Sequence, residues 1–313
     1  MALPRITILG SLNIDLVSYA PHHPVPGETL TSSAYAVSCG GKGANQAVAC
    51  AKLSRKPDLS SPSAHVAMLG ALGSDSYGSQ LRDSLASYGV DTDGVLTREG
   101  KNTGVAIIIV DEPSGQNRIV FSPESNHSLL PAHFATLPDP KPDLLIMQLE
   151  IPFDTVMQAL AAAKTANVPV LLNPAPTQEL PLAAYDGLAH LIVNETEAAL
   201  LSGAKEEELE DPQGLKRIGA LFIERGVLNV IITLGGRGVY YVNKAGQSAL
   251  VPALKAGVVD TTAAGDTFVG SYALAAVDSA FDIEEAVQEA NRAAAKTVAK
   301  RGAQVSIPWK DEL

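Results

Sequence analysis

Short apolar segments alternate with longer amphipathic ones along most of this chain. Seven apolar segments have the length of buried strands: 6–12, 65–73, 104–111, 143–150, 168–176, 190–195 and 227–235. Six further segments space their apolar residues as helices do: 43–53, 76–88, 153–166, 195–202, 212–225 and 266–277. Strands that are apolar throughout and separated by helices are typical of a parallel sheet covered on both faces. The pattern therefore predicts an α/β fold with a mostly parallel central sheet and helices on both faces.

Residues 14–38 and about 95–124 interrupt this alternation. Both stretches show short alternating strand patterns with Gly and Pro turns and no helical spacing. We expect them to form a small β-sheet lid, contributed by about 14–39 and 95–124, on a single domain that spans 1–313. Residues 54–64 are polar and rich in Pro and Ser, which predicts a surface loop.

Composition narrows the class of partner. The chain has 313 residues and a formal net charge of −11, so a nucleic-acid partner is not expected, because phosphate contacts need clustered Lys and Arg. No apolar run approaches the roughly 18 residues that a membrane span requires, so we expect no membrane partner. The two cysteines, Cys39 and Cys50, match no metal-ligand spacing and are predicted to be free, buried thiols.

The two ends of the chain bear on its location in the cell. The N-terminal apolar stretch reaches Asn13 and Asp15 too early for a secretory signal and is predicted to be a buried first strand. The last four residues, KDEL, match an endoplasmic-reticulum retention address, which acts only on a protein that has entered the lumen. We interpret KDEL as coincidental and expect a cytoplasmic protein, with the nucleus as a further compartment.

Polar residues follow most of the predicted strands at the point where each strand ends. They are Asn13, Asp15, Glu150, Asn173, Asn194 with Glu197, the segment 233–238 and the segment 260–266. A single polar residue at a strand end is usually a helix cap or a turn former. In open α/β sheets, however, ligands bind beyond the carboxyl ends of the strands. The repeated occurrence of such residues at corresponding positions therefore predicts a ligand site.

The segment DTTAAGDTF (260–268) carries the most specific of these signals. Ala264, Gly265 and Asp266 lead directly into a predicted helix, whose first turn has unpaired N–H groups and a positive dipole end. Gly265 would let a ligand approach the backbone closely. Asp266 is then either an N-cap or a general base that takes a proton from an attacking hydroxyl beside a transferring phosphoryl group.

Two other segments suit a nucleotide. TLGGRG (233–238) places three glycines after a strand, which is a weak phosphate-binding signal alone and a plausible nucleotide cradle together with the Asp266 segment. Asn194 and Glu197 form an i, i+3 pair on one helical face. They are either a capping box or, for Glu197, a site that holds Mg²⁺ through water.

The segment CGGKGANQAV (39–48) resembles a phosphate-binding loop at first sight. A Walker-type loop requires GxxxxGK[ST], whereas Lys42 is followed by Gly43, and the required spacing occurs nowhere in the chain. Lys42 and Asn45 are donors that suit the hydroxyls of a polyol, and Asn13, Asp15 and Glu150 add an amide and two carboxylates. We therefore expect Lys42 to hold a sugar rather than a phosphate.

The motifs together resemble those of the ribokinase-like carbohydrate kinase family. The resemblance runs in order from Ile6 to Trp309 through GSLNIDLV, PGET, GGKGANQAVA, GVAIIIVD, MQLEIP, LNPAP, NETE, TLGGRGV, DTTAAGDTF and KRGAQVSIPW. GGKGANQA, MQLE, LNPAP and GAQVSIP point to the ribokinase branch in particular. The family's GAGD signature reads AAGD here, and alanine in the first position removes no backbone amide. The resemblance implies a Rossmann-type fold and ATP-dependent phosphorylation of D-ribose at its 5-hydroxyl.

The resemblance also implies roles for individual residues. Asp266 would be the catalytic base, with an anion hole at Ala264 and Gly265. The implied sugar-binding residues are Asn13, Asp15, Gly41, Lys42, Asn45, Glu150 and Asp266. The implied nucleotide-binding residues are Asn194, Thr233, Gly235, Gly236, Arg237, Gly238, Ala264, Gly265 and, beside the adenine, Asn291.

Two metal ions and an assembly follow from the same resemblance. Mg²⁺ would accompany ATP near Glu197, and an activating K⁺ would lie next to the anion hole. The implied K⁺ residues are Asp260, Thr262, Thr297, Lys300, Gly302 and Ser306, mostly through backbone carbonyls and with Asp260 as the charged ligand. The lid would close over the sugar and form a homodimer interface.

Two alternatives stay open on the sequence. One is a sister kinase that acts on deoxyribose, fructose, another pentose or a nucleoside. The other is a catalytically silent sugar-binding or regulatory protein on the same fold, because a fold does not fix a function.

Overall fold

Thirteen strands and seven α-helices form the computed structural model, which describes residues 2–313. The strands are β1 (Arg5–Leu9), β2 (Asn13–Ala20), β3 (Ala34–Gly40), β4 (His65–Gly73), β5 (Val95–Arg98), β6 (Gly104–Asp111), β7 (Asn117–Ser122), β8 (Leu144–Met147), β9 (Val170–Leu172), β10 (His190–Asn194), β11 (Asn229–Thr233), β12 (Val239–Asn243) and β13 (Ser248–Val251). The helices are α1 (Lys42–Ser54), α2 (Ser76–Ser87), α3 (Phe153–Ala166), α4 (Glu195–Ser202), α5 (Pro212–Glu224), α6 (Ala264–Ala276) and α7 (Ile283–Thr297).

Nine strands make the central sheet, in the order β13-β12-β11-β10-β9-β8-β1-β4-β5. The seven strands from β11 to β5 are parallel, and β12 and β13 complete one edge as antiparallel strands. The strand β1 pairs with β4 on one side and with β8 on the other. The order of the chain therefore reverses at β1, which is where ligands bind in open parallel sheets.

Helices cover both faces of this sheet, and each face has its own apolar core. On one face Ile6 and Ile8 of β1 pack in a cluster with Val48 of α1, Val269 of α6 and Val287 of α7. On the other face the cluster combines strand residues with α3 and α5, whose Phe222 is fully buried. The predicted α/β class, with a mostly parallel sheet between two helical layers, is confirmed.

The start of α1 lies unusually close to the end of β1. A Cβ added to Gly43 would meet the backbone N of Ser11 at 2.6 Å and the Cα of Gly10 at 2.8 Å. Only a residue without a side chain allows this approach. The contact brings the first turn of α1 over the carboxyl end of β1.

The lid is a separate sheet of four strands in the order β3-β2-β6-β7. This agrees with the predicted small β-sheet, with one correction to the lid segments and one to the strands assigned to the central sheet. Val95–Arg98, which the sequence pattern places in the lid, pairs in parallel with β4 at the edge of the central sheet. Residues 104–111, which the pattern counts among the strands of the parallel sheet, pair instead with β2 in the lid.

Some elements were not predicted. The pattern gave no strands for β12 and β13, and no helix for α7, although Ile283, Val287 and Ala290 recur at helical spacing along it and are buried. The residues Val258 and Val259 before Asp260 do not form a strand and are exposed. Both cysteines are free as predicted, but Cys39 is only half-buried, whereas Cys50 is fully buried. No helix within residues 2–313 has the length and apolar character needed to cross a membrane.

Candidate active site

A cleft opens at the carboxyl ends of the central strands. Its volume is about 210 Å³. Its polar lining includes Lys42, Asn173, Asn194, Glu197, Thr233 and Asp266. These residues end or follow β9, β10 and β11 or lie in the first turns of α1, α4 and α6, so the cleft brings together strand-end residues that the sequence indicated.

Glu150 forms one wall of the site through a single carboxylate oxygen. Its Oε2 accepts hydrogen bonds from Ser11 Oγ at 2.5 Å, from the Lys42 backbone N–H at 3.0 Å and from Asn13 Nδ2 at 3.4 Å. No hydrogen bond within residues 2–313 uses Oε1 of this carboxylate. Glu150 is thereby fixed in orientation and keeps one oxygen as an acceptor.

Asn13 is held by Asn126, a buried asparagine that was not among the predicted site residues. Asn126 donates from Nδ2 to Asn13 Oδ1 at 2.8 Å and to the Leu12 carbonyl at 3.1 Å, and it accepts from the Leu12 N–H at 2.9 Å. Its side chain is fully buried. Asn126 is therefore a structural residue that fixes Asn13 and the backbone at Leu12.

Asp15 extends from β2 toward the same wall without a hydrogen bond in residues 2–313. Burial raises the pKa of its carboxyl to about 7, with further contributions from the charges of Glu150 and Asp266. A Cβ on Gly40 would lie 2.1 Å from Asp15 Oδ2, so the neighbouring strand leaves room for the carboxyl group. Gly41 has φ +89°, and a side chain there would meet the Asn13 N–H at 2.8 Å.

Asp266 lies in the first turn of α6 and does not cap it. The N-cap is Ala263, in a left-handed conformation with φ 60°, and it makes no side-chain cap. The Asp266 carboxylate instead faces α1, where Oδ2 accepts from Asn45 Nδ2 and Oδ1 accepts from Gln46 Nε2, both at 3.0 Å. The N-cap interpretation of Asp266 is therefore wrong.

The first turn of α6 also presents free backbone amides. Within residues 2–313 the N–H groups of Gly265 and Asp266 make no hydrogen bond, whereas the Ala264 N–H donates to the Thr261 carbonyl at 3.2 Å. A Cβ on Gly265 would meet nothing within 4 Å, so the approach to these amides is open. Free amides at a helix N-terminus suit an anion, and these two lie one residue later than the predicted pair, Ala264 and Gly265.

Lys42 lies among the carboxylates of the cleft. Burial alone would lower the pKa of its ammonium group, but the charges of Asp266, Glu150 and Glu197 outweigh burial and raise that pKa. Lys42 lines the cleft together with Asn194 and Thr233, so it lies near the predicted nucleotide residues as well as beside the predicted sugar residue Glu150. Its assignment to the sugar alone stays a prediction.

Asn194 and Glu197 form the capping box that the sequence offered as one alternative. Asn194 Oδ1 accepts from the Glu197 N–H at 2.8 Å, and Glu197 Oε2 accepts from the Asn194 N–H at 2.9 Å. Burial raises the pKa of Glu197, although the Asn194 amide and Lys42 oppose that rise. The capping box leaves Oε1 of Glu197 without a partner within residues 2–313.

The glycine-rich turn after β11 is open at its centre. A Cβ on Gly235 or Gly236 would meet nothing within 4 Å, whereas one on Gly238 would clash with the Val251 carbonyl at 2.0 Å. The Arg237 side chain is already paired within the protein. Its guanidinium pairs with Glu195 and donates to the Leu209 carbonyl, so its predicted nucleotide contact would require both to break.

The residues predicted for a monovalent cation belong to two segments that meet, the loop before α6 and the end of α7 with the loop after it. Asp260 Oδ2 accepts from the Gly302 N–H at 2.9 Å, and Oδ1 accepts from the N–H and the hydroxyl of Thr262. Thr297 and Ser306 are buried and donate their hydroxyls to nearby carbonyls, and Lys300 pairs with Glu312. Asn291 on α7 donates to the Pro252 carbonyl at 2.9 Å.

Four polar residues of the candidate site were not predicted from the sequence. They are Ser11, Gln46, Asn126 and Gln148. Gln46 directly follows the candidate residue Asn45 in the motif GGKGANQA, and Gln148 lies two residues before the candidate residue Glu150 in the motif MQLE. Their position in segments predicted to be buried could have indicated them, because a buried amide needs specific hydrogen-bond partners.

Comparisons with known proteins find the same kind of relative over nearly the whole chain. The model of the pfkB family carbohydrate kinases matches residues 3–310. The ribokinase of Schizosaccharomyces pombe is 40% identical over 312 residues, which cover 97% of this chain and 95% of that protein. The ribokinase of Haemophilus influenzae is 38% identical over 309 residues, with 98% and 96% covered. The structure of Arabidopsis thaliana ribokinase complexed with ribose and ATP superposes with a TM-score of 0.86 at 29% identity, covering 99% of this chain and 97% of that one.

Proposed function

This chain belongs to the pfkB family of carbohydrate kinases, and we propose that it transfers the terminal phosphoryl group of ATP to the 5-hydroxyl of D-ribose. The observation that carries the proposal is the position of Asp266. Its carboxylate faces Asn45 and Gln46 of α1 and belongs to the same helical turn as the free amides at the start of α6. The similarity to ribokinases over nearly the full chain supports ribose as the acceptor.

The sugar would bind against β1, β2 and α1. Acceptors without partners are available there for its hydroxyls: Oε1 of Glu150, the carboxyl group of Asp15 and the buried Oδ1 of Asn45. Unpaired buried acceptors are costly, and a polyol supplies the donors that they lack. Asn13 and the backbone at Gly41 complete this side. The backbone at residue 41 lies so close to the backbone of Asn13 that only glycine fits there.

Asp266 would act as the general base. Asn45 and Gln46 each donate to a different oxygen of its carboxylate, which fixes its direction and leaves lone pairs for the proton of the attacking hydroxyl. The amides of Gly265 and Asp266, with the Ala264 peptide beside them, would stabilise the charge of the transferring group. Lys42 adds a positive charge in the same cleft.

The nucleotide would lie along the carboxyl ends of β10 and β11. Asn194 and Thr233 line the cleft, and the open backbone at Gly235 and Gly236 leads away from it toward α7. Gly238 is required by its positive φ and the nearby Val251 carbonyl rather than by a ligand. We keep Asn291 beside the adenine and withdraw Arg237, because its guanidinium is already paired.

Glu197 fits a magnesium ion that binds with ATP. Its Oε1 is free, its side chain lines the cleft, and Mg²⁺ in such sites keeps most of its waters. No group of three or more His, Cys, Asp or Glu in residues 2–313 is arranged to hold a metal by itself. The ion would neutralise phosphate charge, and the protein residues would orient it through water.

The two loops at Asp260 fit an activating potassium ion. The Asp260 carboxylate joins them, and its pKa is lowered although burial opposes this, because Thr262 and Gly302 donate to it. The hydroxyls of Thr297 and Ser306 are used within the protein, so these residues, like Lys300 and Gly302, would contribute backbone carbonyls. The ion would hold the loop that precedes the anion site of α6.

We further propose a homodimer formed through the lid and a location in the cytoplasm, and also in the nucleus. Apolar side chains on one face of the lid, including Val37, Ile107 and Val120, are exposed and would be covered in a dimer. The C-terminal KDEL would not act as an address. In support, Glu312 pairs with Lys300 and accepts from the Trp309 N–H, so the tail is held against the protein.

A coupled ADP-release assay with Mg-ATP tests the function. The panel is D-ribose, 2-deoxyribose, fructose and adenosine, each with K⁺ and then with Na⁺. We expect the highest kcat/KM for ribose and a higher rate with K⁺. A higher kcat/KM for another acceptor would reassign the substrate to a sister kinase, and ribose binding without turnover would favour a silent binding protein.

The base is tested separately by Asp266→Asn. We expect ATP and ribose to bind nearly normally while kcat falls by about 10²–10⁴-fold, because only proton transfer in the transition state is removed. Isothermal titration with each ligand, alongside the kinetic assay, separates the two effects. Turnover at the wild-type rate in this variant would remove Asp266 from the catalytic role.

A further inference from the structure

Gln46 contacts the Asp266 carboxylate from the interior of the protein. Its side chain is fully buried on α1, and Nε2 donates to Asp266 Oδ1 at 3.0 Å. Asn45, the neighbouring residue, donates to the other oxygen and has a buried Oδ1 without a protein partner. The two amides therefore differ in their surroundings: Asn45 has an atom left for a ligand, and Gln46 has none.

The orientation of the Gln46 amide is fixed by two further amides. Gln148 Nε2 donates to Gln46 Oε1 at 2.6 Å, and Gln46 Nε2 also donates to Asn173 Oδ1 at 3.0 Å. Asn173 is itself fixed, because its Nδ2 donates to the Ile192 carbonyl at 3.0 Å. If the Gln46 amide were reversed, its oxygen would face the oxygens of Asp266 and Asn173, and its nitrogen would face the Gln148 donor.

The Gln148 side chain fits in its buried position only because residue 10 is glycine. A Cβ on Gly10 would lie 2.0 Å from Gln148 Oε1. Gln148 and Asn173 directly follow β8 and β9, two neighbouring strands of the sheet. The series of buried amides thus links the rigid strand ends to the carboxylate on α6.

We propose that Gln46 is a positioning residue for Asp266, held in its working orientation by Gln148 and Asn173. This rests on the proposed function, in which Asp266 takes the proton of the sugar hydroxyl. Gln46 fixes the direction of Oδ1 without touching the substrate. A carboxylate displaced by about 1 Å from the reacting hydroxyl loses on the order of 10²-fold in rate.

The variant Gln46→Met keeps the length of the side chain and removes the donor. We expect kcat to fall by roughly 30- to 100-fold while KM for ribose and for ATP changes less than about threefold. Cys50→Ala is the matched control, because Cys50 lies on α1 against Gly270 of α6 without contacting Asp266. It should reduce thermal stability and leave kcat near the wild-type value.

A double-mutant cycle separates positioning from a general structural effect. If Gln46 acts through the carboxylate, Gln46→Met should cause no further loss of kcat in the Asp266→Asn background. An additional loss there, or a wild-type kcat in Gln46→Met alone, would overturn the proposal. If Gln46→Met does not fold, Gln148→Met decides: about tenfold lower kcat at unchanged KM supports positioning, and a wild-type kcat overturns it. Absence of ribose-dependent turnover in the wild-type protein would instead refute the proposed function.

Discussion

At the scale of single residues, Asp15 shows how a proposed sugar-binding residue can reduce the stability of the folded protein. The folded protein raises the pKa of its carboxyl from 3.8 to about 7, mainly through burial. Between these two pH values the folded state holds a proton that the unfolded chain has lost, so stability falls as pH rises through this range. At 1.36 kcal/mol per pH unit, ionisation of Asp15 costs up to about 4 kcal/mol above pH 7.

Asp15→Asn should remove this cost. We expect the variant to be more stable than the wild-type protein at pH 8, by as much as about 4 kcal/mol, and similar to it near pH 4. Urea unfolding at several pH values measures the difference. The variant should also bind ribose about tenfold more weakly, because a hydrogen bond to a charged acceptor is lost. An equal stability difference at both pH values would contradict the assigned cause.

At the scale of elements, glycines at two helix starts serve different purposes. Gly43 lies against the backbone of Gly10 and Ser11, where an added Cβ would come within 2.6 Å of Ser11 N. Gly265 faces open space beside the free amides of α6. Gly43 therefore allows α1 to pack against the end of β1, and Gly265 leaves the free amides of α6 accessible to a ligand.

Gly43→Ala and Gly265→Ala should consequently differ in their effects: the first should reduce stability, and the second should reduce activity. The first should destabilise the protein by roughly 1–3 kcal/mol, because the clash is with backbone that cannot rotate away. The second should leave stability unchanged or raise it by about 0.5–1 kcal/mol, as alanine suits a helix. Its kcat/KM for ATP should fall roughly 10- to 100-fold, because a methyl group displaces the phosphates. Thermal unfolding and ADP-release kinetics distinguish these profiles, and a stable, inactive Gly43→Ala would contradict them.

The elements also show what a sequence can and cannot predict. β10 ends at the polar residue Asn194 after an apolar run, so local patterning locates both the strand and the candidate site residue at its end. The strand β5 was misplaced because VLTR is short and its pairing with β4 is a long-range choice. Gln46 was missed for a similar reason. Its partners, Gln148 and Asp266, are 102 and 220 residues away in the chain, and no local spacing indicates them.

At the scale of the whole molecule, the lid carries both part of the proposed sugar site and the proposed dimer surface. Its strand register places Val37, Leu16, Ile107 and Val120 side by side on one face. Asp15 and Phe121 share the other face, which looks into the cleft. Val37, Ile107 and Val120 are 40%, 46% and 64% exposed, and the core of an interface is depleted in charge.

We expect a dimer of the wild-type protein in sedimentation velocity and a monomer of Val120→Lys at the same concentration, because a lysine in the apolar row would be buried without a partner. Ile119→Lys is the matched control, since the adjacent side chain points to the cleft face. It should remain dimeric. Dissociation of Ile119→Lys alone would move the interface to the cleft face, where the partner's lid would also cover the sugar. A monomeric wild-type protein would contradict the proposed assembly and leave the chemistry at Asp266 unaffected, because every residue that holds that carboxylate belongs to the same chain.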